Sequence, residues 1–226
     1  MEYKNKTDIS PAILRILKKR GITDPADIEE YMSPTPRRTY DPFLMKGMDE
    51  ASDMIIEYAR GRRRICVYGD YDCDGVTSVS LMMTLLGELA ADAWYYIPSR
   101  FEEGYGLNKK AIDRIAERGT QLIITVDNGC VAFDEVAYIK EKGMAVIVTD
   151  HHNVDTQSPD CIMLDPKQTD DDYPFNFLCG CGVAFKLAQA VTRKTGISKK
   201  KLNSLLDIVG IATVGDIVPL IDENRT

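Results

Sequence analysis

The sequence predicts an α/β domain built on a mostly parallel, five-stranded sheet with helices on both faces. Two observations predict it: five short, apolar segments rich in β-branched residues, and helical patterns that separate most of them. Strands that alternate with helices of this length form right-handed βαβ units, whose parallel strands are buried on both faces. An N-terminal helical appendage and C-terminal helices complete the predicted architecture.

The appendage is predicted to comprise residues 1–47. Ser10 and Pro11 open a short amphipathic helix that continues through Lys19, since serine is a good N-cap and proline suits the first helical position. A second short helix is predicted around Pro25–Met32.

The main domain is predicted to span residues 48–226, after a Pro/Arg-rich linker over Ser33–Pro42. Helical periodicity begins at once, over Met48–Arg60. The five predicted strands are Arg64–Tyr68, Ala93–Ile97, Gln121–Val126, Met144–Thr149 and Cys161–Leu164. The predicted helices between and after them are Val76–Ala91, Asn108–Arg118, Ala132–Lys142, Val183–Thr195 and Lys199–Val214.

The composition is that of a soluble globular protein, with 44% hydrophobic and 28% charged residues. The apolar runs are too short to cross a bilayer, and the first residues lack the apolar core of a signal peptide. We therefore expect a cytoplasmic protein with no membrane partner. The six cysteines are expected to be reduced and mostly buried. A zinc site at Cys179 and Cys181 is rejected, because no further ligands lie nearby in sequence.

The net charge of −7 argues against a generic nucleic-acid coat protein, which would usually be basic. It does not exclude a protein that acts on nucleic acid, because bound metal ions restore positive charge where acidic residues hold them. Two basic clusters, Arg60–Arg64 and Lys199–Lys201, are placed to contact a phosphate backbone. Their simpler interpretation is that they are solvated ends of segments.

Three of the predicted strands end in acidic clusters, and ligands of open α/β sheets bind outside the carboxyl ends of the strands. A single aspartate there is usually a cap or a turn, but three clusters at one edge are hard to explain as caps. The clusters are Asp70, Asp72 and Asp74 after the first strand, Asp127 after the third, and Asp150, His151 and His152 after the fourth.

Converging carboxylates must share protons or hold cations, since two of them about 4 Å apart repel by roughly 4 kcal/mol at an effective dielectric near 20. Oxygen ligands with one or two imidazoles suit Mn²⁺, with Mg²⁺ as the alternative. Two such ions roughly 3.5–4 Å apart would form a site for phosphoryl transfer.

Four segments resemble, in order and spacing, the four motifs of the DHH phosphoesterases: VYGDYDCDGVTS, TVDNG, VTDHH and TVGDIVPL. The likeness is closest to the RecJ-type single-strand-specific exonucleases. It extends through IPSRFEEGYGL (Ile97–Leu107) and YPFNFLCGCGVAFKL (Tyr173–Leu187), and so covers about residues 65–220. The resemblance implies metal-dependent, 5′→3′ hydrolysis of single-stranded DNA to 5′-mononucleotides, in DNA repair and recombination. It also implies single-strand-binding protein and a helicase as partners of the full-length protein.

The same resemblance implies a set of metal ligands for two Mn²⁺ ions, with one carboxylate, Asp127, bridging them. Asp74 would be either a third ligand of the first motif or a group that orients ligands; a solvated turn is its plain structural alternative. For the aspartate of the fourth motif, the plain alternative is a charge at a helix end. The implied ligands are Asp70, Asp72, Asp127, His151 and Asp216.

Further residues are predicted to act on the substrate. The resemblance places His152 in contact with the scissile phosphate and gives Asp150 the role of orienting its neighbours. Arg100 is a candidate phosphate contact, because a guanidinium matches phosphate oxygens, or else it forms a surface salt bridge. Gly180 and Gly182 either let a helix N-terminus approach phosphate or allow tight packing.

Two alternatives remain at this stage. A DHH phosphodiesterase that cleaves short oligonucleotides, cyclic dinucleotides or pyrophosphate would use the same chemistry. Such relatives usually carry a histidine shortly before the first aspartate pair, where this chain has residues 66–69 (Cys-Val-Tyr-Gly). A non-catalytic replication scaffold should have lost ligands, and this chain retains them.

The resemblance also bears on the end of the chain. RecJ-like enzymes place a smaller substrate-binding domain after a connecting helix, and the sequence runs only ten residues past Asp216. We therefore expect that second domain to be absent from this chain.

Overall fold

The structure is a computed structural model that describes residues 9–33, 39–154 and 157–226. The chain divides into two compact units. The larger unit is Tyr40–Leu220, and the smaller one contains the described residues before Tyr40 together with Ile221–Thr226. Most of the predicted linker lies outside the described residues. The functional boundary that the sequence suggests after residue 47 stays a prediction.

The smaller unit contains the two predicted short helices, α1 (Pro11–Lys19) and α2 (Pro25–Met32), and a 3₁₀ turn at Asp222–Arg225. Both helices begin as their sequences predict. The hydroxyl of Ser10 and the carboxylate of Asp24 each accept a backbone N–H of the first turn, and proline follows each of them. The predicted helical appendage is confirmed for the residues described.

The larger unit is built on a five-stranded sheet in which every pair of neighbouring strands is parallel. The strand order is β2-β1-β3-β4-β5, so the direction of chain progression reverses between β1 and β3. The predicted sheet is confirmed, and every strand end falls within one residue of its prediction. The strands are β1 (Ile65–Tyr68), β2 (Ala93–Tyr96), β3 (Leu122–Val126), β4 (Ala145–Thr149) and β5 (Ile162–Leu164).

Helices cover both faces of the sheet, as the buried strands require. The helices of the larger unit are α3 (Met48–Arg60), α4 (Cys73–Glu88), α5 (Lys109–Glu117), α6 (Phe133–Glu141), α7 (Gly180–Thr195), α8 (Lys199–Asn203) and α9 (Leu206–Gly215), with a 3₁₀ turn at Pro42–Leu44. Alternate residues of β3 show the two sides: Leu122 and Ile124 belong to a core with α3, α4 and α7, while Ile123 belongs to a core with α5 and α6.

Three predicted helices were wrong in their extent, among them α7, which begins at Gly180 rather than at Val183. The helix expected to begin at Val76 begins at Cys73, because the Asp72 carboxylate caps it by accepting the Gly75 N–H at 2.9 Å. The prediction relied on the first apolar position rather than on the cap. The long helix expected after residue 198 is two helices, since α8 ends at Asn203. The Ser204 hydroxyl there donates to a backbone carbonyl of the preceding turn, as serine does where a helix ends.

Three expectations about the surface and the thiols can also be compared with the structure. All six cysteines are free thiols, and four of them are buried. No helix in the described part of the chain has both the length and the apolar character that crossing a bilayer would require. Each predicted basic cluster contains an ion pair at the surface, Arg64 with Asp92 and Lys201 with Glu88. This pairing favours the interpretation of solvated segment ends.

The close approach of α4 to the loop after β1 gives a first prediction. A Cβ added at Gly75 would lie 2.6 Å from the backbone oxygen of Asp70 and 2.7 Å from its nitrogen. We expect Gly75→Ala to lower the free energy of unfolding by about 1–3 kcal/mol, because backbone atoms cannot yield as a flexible side chain can. Urea unfolding followed by circular dichroism measures this change.

The matched control is Gly87→Ala, in the same helix. Nothing lies within 4 Å of its added Cβ, so alanine should stabilise the helix by about 0.5–1 kcal/mol. If Gly75→Ala were as stable as Gly87→Ala, the tight contact between α4 and the strand-end loop would be wrong.

Candidate metal centre

The carboxyl ends of three neighbouring strands carry the acidic residues that the sequence singles out. Asp70 follows β1, Asp127 follows β3, and residues 150–152 follow β4. Because β1, β3 and β4 are hydrogen-bonded in that order, these loops meet at one edge, where the strand order reverses. The first turn of α4 adds Asp74, and the end of α9 adds Asp216. The structure thus brings the predicted ligands of all four motifs together.

The ligand atoms fall into three adjoining groups at this edge, and within each group they lie within 4.8 Å of one another. Asp127 belongs to two of the groups, and so does His151. A carboxylate shared between two groups is the arrangement expected of a ligand that bridges two cations. The groups are Asp70, Asp72 and Asp127; Asp127, His151 and His152; and Asp74, His151 and Asp216.

Several buried ligand atoms have no hydrogen-bond partner among the described residues. They are both oxygens of Asp70, Oδ1 of Asp127 and both ring nitrogens of His151. Buried polar atoms are nearly always satisfied, so this cluster of exceptions calls for an explanation. His151 Nε2 lies 3.1 Å from Asp127 Oδ1, 3.6 Å from Asp74 Oδ2 and 3.7 Å from Asp216 Oδ2. Carboxylate oxygens and an imidazole that converge in this way fit divalent cations such as Mn²⁺.

The electrostatics of the centre agree with this fit. Burial raises the pKa of Asp127 to about 10, and the neighbouring charges of Asp74 and Asp72 contribute to that rise. Burial also raises the pKa values of Asp70 and Asp74 and lowers that of His151. In the absence of cations, the surroundings of Asp70, Asp74 and Asp127 therefore favour the protonated carboxyl group more than water does, and those of His151 favour the neutral imidazole. Cations would take the place of those protons, and a neutral imidazole has the lone pair that a metal needs.

Asp150 and His152 form a hydrogen-bonded pair within this centre. The Asp150 carboxylate accepts N–H groups from the backbone of Cys130, His151 and His152, and contacts His152 Nδ1 at 2.7 Å. Burial alone would raise the pKa of Asp150, but its hydrogen bonds with His152 and Cys130 hold it at about 2. The bond to Asp150 in turn raises the pKa of His152 to about 9. Asp150 thus fixes the His152 ring and favours its cationic form, with Nε2 left to face a ligand.

The Asp74 carboxylate binds the N-terminus of α7. It accepts the N–H of Gly180 at 2.6 Å and the N–H of Cys181 at 2.8 Å. A helix N-terminus attracts negative charge, and here a buried side chain supplies it. Asp74 is therefore not a solvated turn: one oxygen of it also lies near His151, so it both positions α7 and is available as a ligand.

The start of α7 decides the role of one predicted glycine. The helix begins at Gly180, three residues before the predicted start, because the Cys179 sulfur caps it by accepting the Gly182 N–H. A Cβ at Gly180 would lie 2.7 Å from both Cβ and Oδ1 of Asp127. The structure favours tight packing for Gly180, since its N–H is already taken by Asp74. Whether either glycine also contacts substrate stays a prediction.

Arg100 lies outside the ligand groups but beside the centre. Its guanidinium carbon is 5.4 Å from the ring centre of Tyr71, which lies between two predicted ligands of the first motif. Within the part of the chain that the structure describes, no ion pair of Arg100 occurs, so the surface salt bridge that the sequence left open is not observed. Its predicted contact with phosphate stays a prediction.

Sequence reasoning missed two residues of this edge. The Tyr105 hydroxyl donates to the backbone oxygen of Asp127 at 3.2 Å and lies 3.5 Å from His152 Nε2. Asp165 follows β5 and is buried next to Cys130 and Asp150, and burial raises its pKa to about 7. Asp165 could have been found, because it follows a strand as Asp127 does. No pattern within the Tyr105 loop indicates where the tyrosine lies.

Comparisons with known proteins agree with the geometry. Residues 64–213 match the DHH family, N-terminal domain. The single-stranded-DNA-specific exonuclease RecJ of Bacillus subtilis (strain 168) is 45% identical over 218 residues, which cover 96% of this chain and 27% of that protein. This chain therefore spans about a quarter of that relative's length.

Solved structures give the same result. A crystal structure of exonuclease RecJ bound to manganese superposes with a TM-score of 0.74 at 35% identity, covering 80% of this chain and 46% of that one. A structure of RecJ in complex with Mg²⁺ from Thermus thermophilus superposes with a TM-score of 0.60 at 27% identity, covering 92% of this chain and 25% of that one.

The contact between Gly180 and Asp127 generates a prediction about metal affinity. Gly180→Ala should displace the Asp127 carboxylate and weaken Mn²⁺ binding by about tenfold or more, as the loss of a group that positions a ligand does. Isothermal titration calorimetry measures the change. Gly210→Ala is the control, because nothing lies within 4 Å of its added Cβ. Unchanged affinity in Gly180→Ala would mean that the packing of α7 does not set the position of Asp127.

Proposed function

The chain belongs to the DHH family, and from that membership we propose that it hydrolyses phosphodiester bonds of single-stranded DNA from the 5′ end, releasing 5′-mononucleotides. The observation that carries this proposal is the shared use of Asp127 and His151 by adjoining ligand groups. Two adjoining cations suit phosphoryl transfer, because together they stabilise the attacking and the leaving oxygens. Residues 48–226 would form the catalytic domain, with residues 1–47 as its appendage.

The residues divide into ligands and groups that handle the phosphate. Asp70, Asp72 and Asp127 would hold one Mn²⁺ ion, and the set around His151 and Asp216 would hold a second, with Mg²⁺ as a substitute for either. When bound, the ions supply positive charge to the phosphate and to the leaving oxygen while water attacks phosphorus in line.

The protein's own groups orient the phosphate for that attack. His152, cationic and fixed by Asp150, donates from Nε2 to a non-bridging phosphate oxygen. Arg100, held over Tyr71 of the first motif, offers a second contact to phosphate. Asp74 acts chiefly on position, since two backbone N–H groups engage its oxygens.

Single-stranded DNA is favoured over other phosphodiesters by the relatives. The similar proteins carry the names of single-stranded-DNA-specific exonucleases. The residues before the first aspartate pair include the buried strand β1 and contain no histidine, which argues against the branch that cleaves short oligonucleotides or cyclic dinucleotides. A role in DNA repair and recombination in the cytoplasm follows from this proposal, as do single-strand-binding protein and a helicase as partners.

The proposal is tested with Mn²⁺ and oligonucleotides labelled at either the 5′ or the 3′ end. We expect labelled mononucleotide to appear at once from the 5′-labelled strand, and progressively shortened strands from the 3′-labelled one. Duplex DNA should be resistant. Release of mononucleotide first from the 3′-labelled strand would reverse the polarity. Hydrolysis of a cyclic dinucleotide without cleavage of either strand would favour the alternative substrate class.

The bridging position of Asp127 predicts the largest loss of activity. Asp127→Ala should lower the rate of hydrolysis by at least about 10³-fold, because both cations lose a shared ligand. The control is Asp160→Ala, whose fully exposed carboxylate pairs with Lys140 near the opposite edge of the sheet and should not affect the rate. Near-normal turnover of Asp127→Ala with Mn²⁺ would refute the bridging role.

The two histidines should separate in their effects. His151 is buried among three carboxylates, so His151→Ala is expected to weaken Mn²⁺ binding. His152 is half exposed and engaged by Asp150, so His152→Ala should still bind Mn²⁺ while kcat falls. Calorimetric titration of Mn²⁺ into both variants, beside steady-state kinetics, measures the two effects. Equal losses of Mn²⁺ affinity would show that the histidines do not divide these roles.

A further inference from the structure

We propose that Phe101 is a stacking platform for a nucleobase of the strand whose phosphate lies at the metal centre. This inference rests on the proposed function and adds to it a contact with the base, whereas every residue assigned so far acts on metal or phosphate.

Phe101 is unusually exposed for its type. Its exposed fraction is 96%, the highest of any large hydrophobic side chain among the described residues. Scattered exposed hydrophobics are common on protein surfaces, so exposure alone assigns no role. The position and the rigidity of the loop that carries Phe101 are what distinguish it.

The first half of that loop is fixed from within. Glu103 accepts hydrogen bonds from the Tyr96 hydroxyl at 2.6 Å and from the Ser99 N–H at 2.9 Å, and its own N–H returns to the Ser99 carbonyl. Arg114 of α5 pairs with the same carboxylate. The backbone on both sides of Phe101 is therefore tied to β2 and α5, and the phenyl ring is presented on a fixed support.

The second half of the loop is tied to the metal centre. The Tyr68 hydroxyl donates to the carbonyl of Gly106 at 2.9 Å, and the Tyr105 hydroxyl donates to the carbonyl of Asp127. On the other side of Phe101, Arg100 lies over the ring of Tyr71 in the first motif. The residues that flank Phe101 thus reach the loops after β1 and β3, which places the loop that carries the exposed ring beside the metal centre.

The chemistry of a single strand matches this arrangement. With a phosphate at the metals, the attached base projects away from the carboxylates and needs an apolar surface. An aromatic ring beside an arginine is the combination that binds single strands without regard to sequence, because every base has a flat face. A base in a duplex is already stacked and paired, so a platform of this kind also favours single strands.

Walking an abasic residue along the substrate tests the proposal. The 226-residue chain is assayed with Mn²⁺ on labelled oligothymidines that carry one abasic residue at successive positions from the 5′ end. We expect kcat/KM of the parent chain to fall by about five- to hundredfold at one position, the range that one base–aromatic stack supports. The kcat/KM of Phe101→Ala on the intact strand should be lower than that of the parent chain by a similar factor. An abasic residue at the sensitive position should not lower the kcat/KM of this variant further. Phe101→Trp should restore cleavage, and Phe101→Leu should not.

Phe43→Ala is the matched control. Phe43 is also an exposed phenylalanine beside cationic side chains, those of Arg193 and Lys194. These two residues lie in the last turn of α7, whereas the first turn of that helix lies at the metal centre. The variant should cleave every substrate as the parent chain does, and melting curves establish that all variants are folded.

The outcomes separate this inference from the function beneath it. If the parent chain cleaves the intact strand and Phe101→Ala cleaves it equally well, Phe101 is not a platform although the nuclease is real. Phe101 is also not a platform if Phe101→Ala and the abasic residue lower kcat/KM by independent factors at every position. Restoration of cleavage by Phe101→Leu would lead to the same conclusion. If the parent chain cleaves no strand at all, the proposed function itself fails.

Discussion

The architecture of the centre depends on one interaction, the binding of the α7 N-terminus by the buried Asp74 carboxylate. It joins the first turn of α4 to a helix that begins 106 residues later in the chain, and it places Gly180 against Asp127. Two backbone N–H groups and the positive end of a helix make that burial of charge tolerable. The helices α4 and α7 also pack against each other through the hydrophobic core, so the contribution of this contact is to fix the first turn of α7, where Gly180 lies directly behind Asp127.

The acidic residues at this edge differ in how many hydrogen bonds their carboxylates accept, and this difference separates their roles. Asp150 and Asp74 receive backbone N–H groups at both oxygens, so they stay in place whether or not a cation is present. Asp70 and Asp127 receive too few: three of their four oxygens have no hydrogen-bond partner among the described residues. The residues that position the centre are thus hydrogen-bonded to the backbone, whereas the predicted metal ligands Asp70 and Asp127 have oxygens without hydrogen-bond partners among the described residues. Burial and the charges of Asp74 and Asp72 raise the pKa of Asp127 to about 10. The hydrogen bond and charge of His152, with the backbone N–H of Cys130, lower the pKa of Asp150 to about 2 despite its burial.

The sequence allowed the sheet, the helices on its two faces and the edge of the site to be predicted, because each depends on a local signal. Apolar strands followed by aspartates placed Asp70, Asp127 and the residues after β4. What escaped prediction depends on contacts across the chain. Neither the binding of α7 by Asp74 nor the position of Tyr105 beside Asp127 leaves a pattern within its own segment. The early start of α4 was missed for a different reason. The prediction placed the start at the first apolar position, Val76, although the capping residue Asp72 is already visible in the sequence.

The two ligand groups that share His151 differ in how their last ligand is held. Asp127 comes from a strand end within the sheet, where the backbone is fixed on both sides. Asp216 comes from the end of α9, where the helix dipole places negative charge next to a carboxylate, and its side chain is 27% exposed. The backbone turns there through Ile217, a β-branched residue at a φ of 60°, a conformation that costs energy. The position of Asp216 is therefore set against unfavourable local terms, and the attraction of a cation is the term able to offset them. Asp127 itself has a left-handed φ of 61° and a buried carboxylate oxygen without a hydrogen-bond partner among the described residues, so a cation that binds at either group offsets unfavourable local terms there as well.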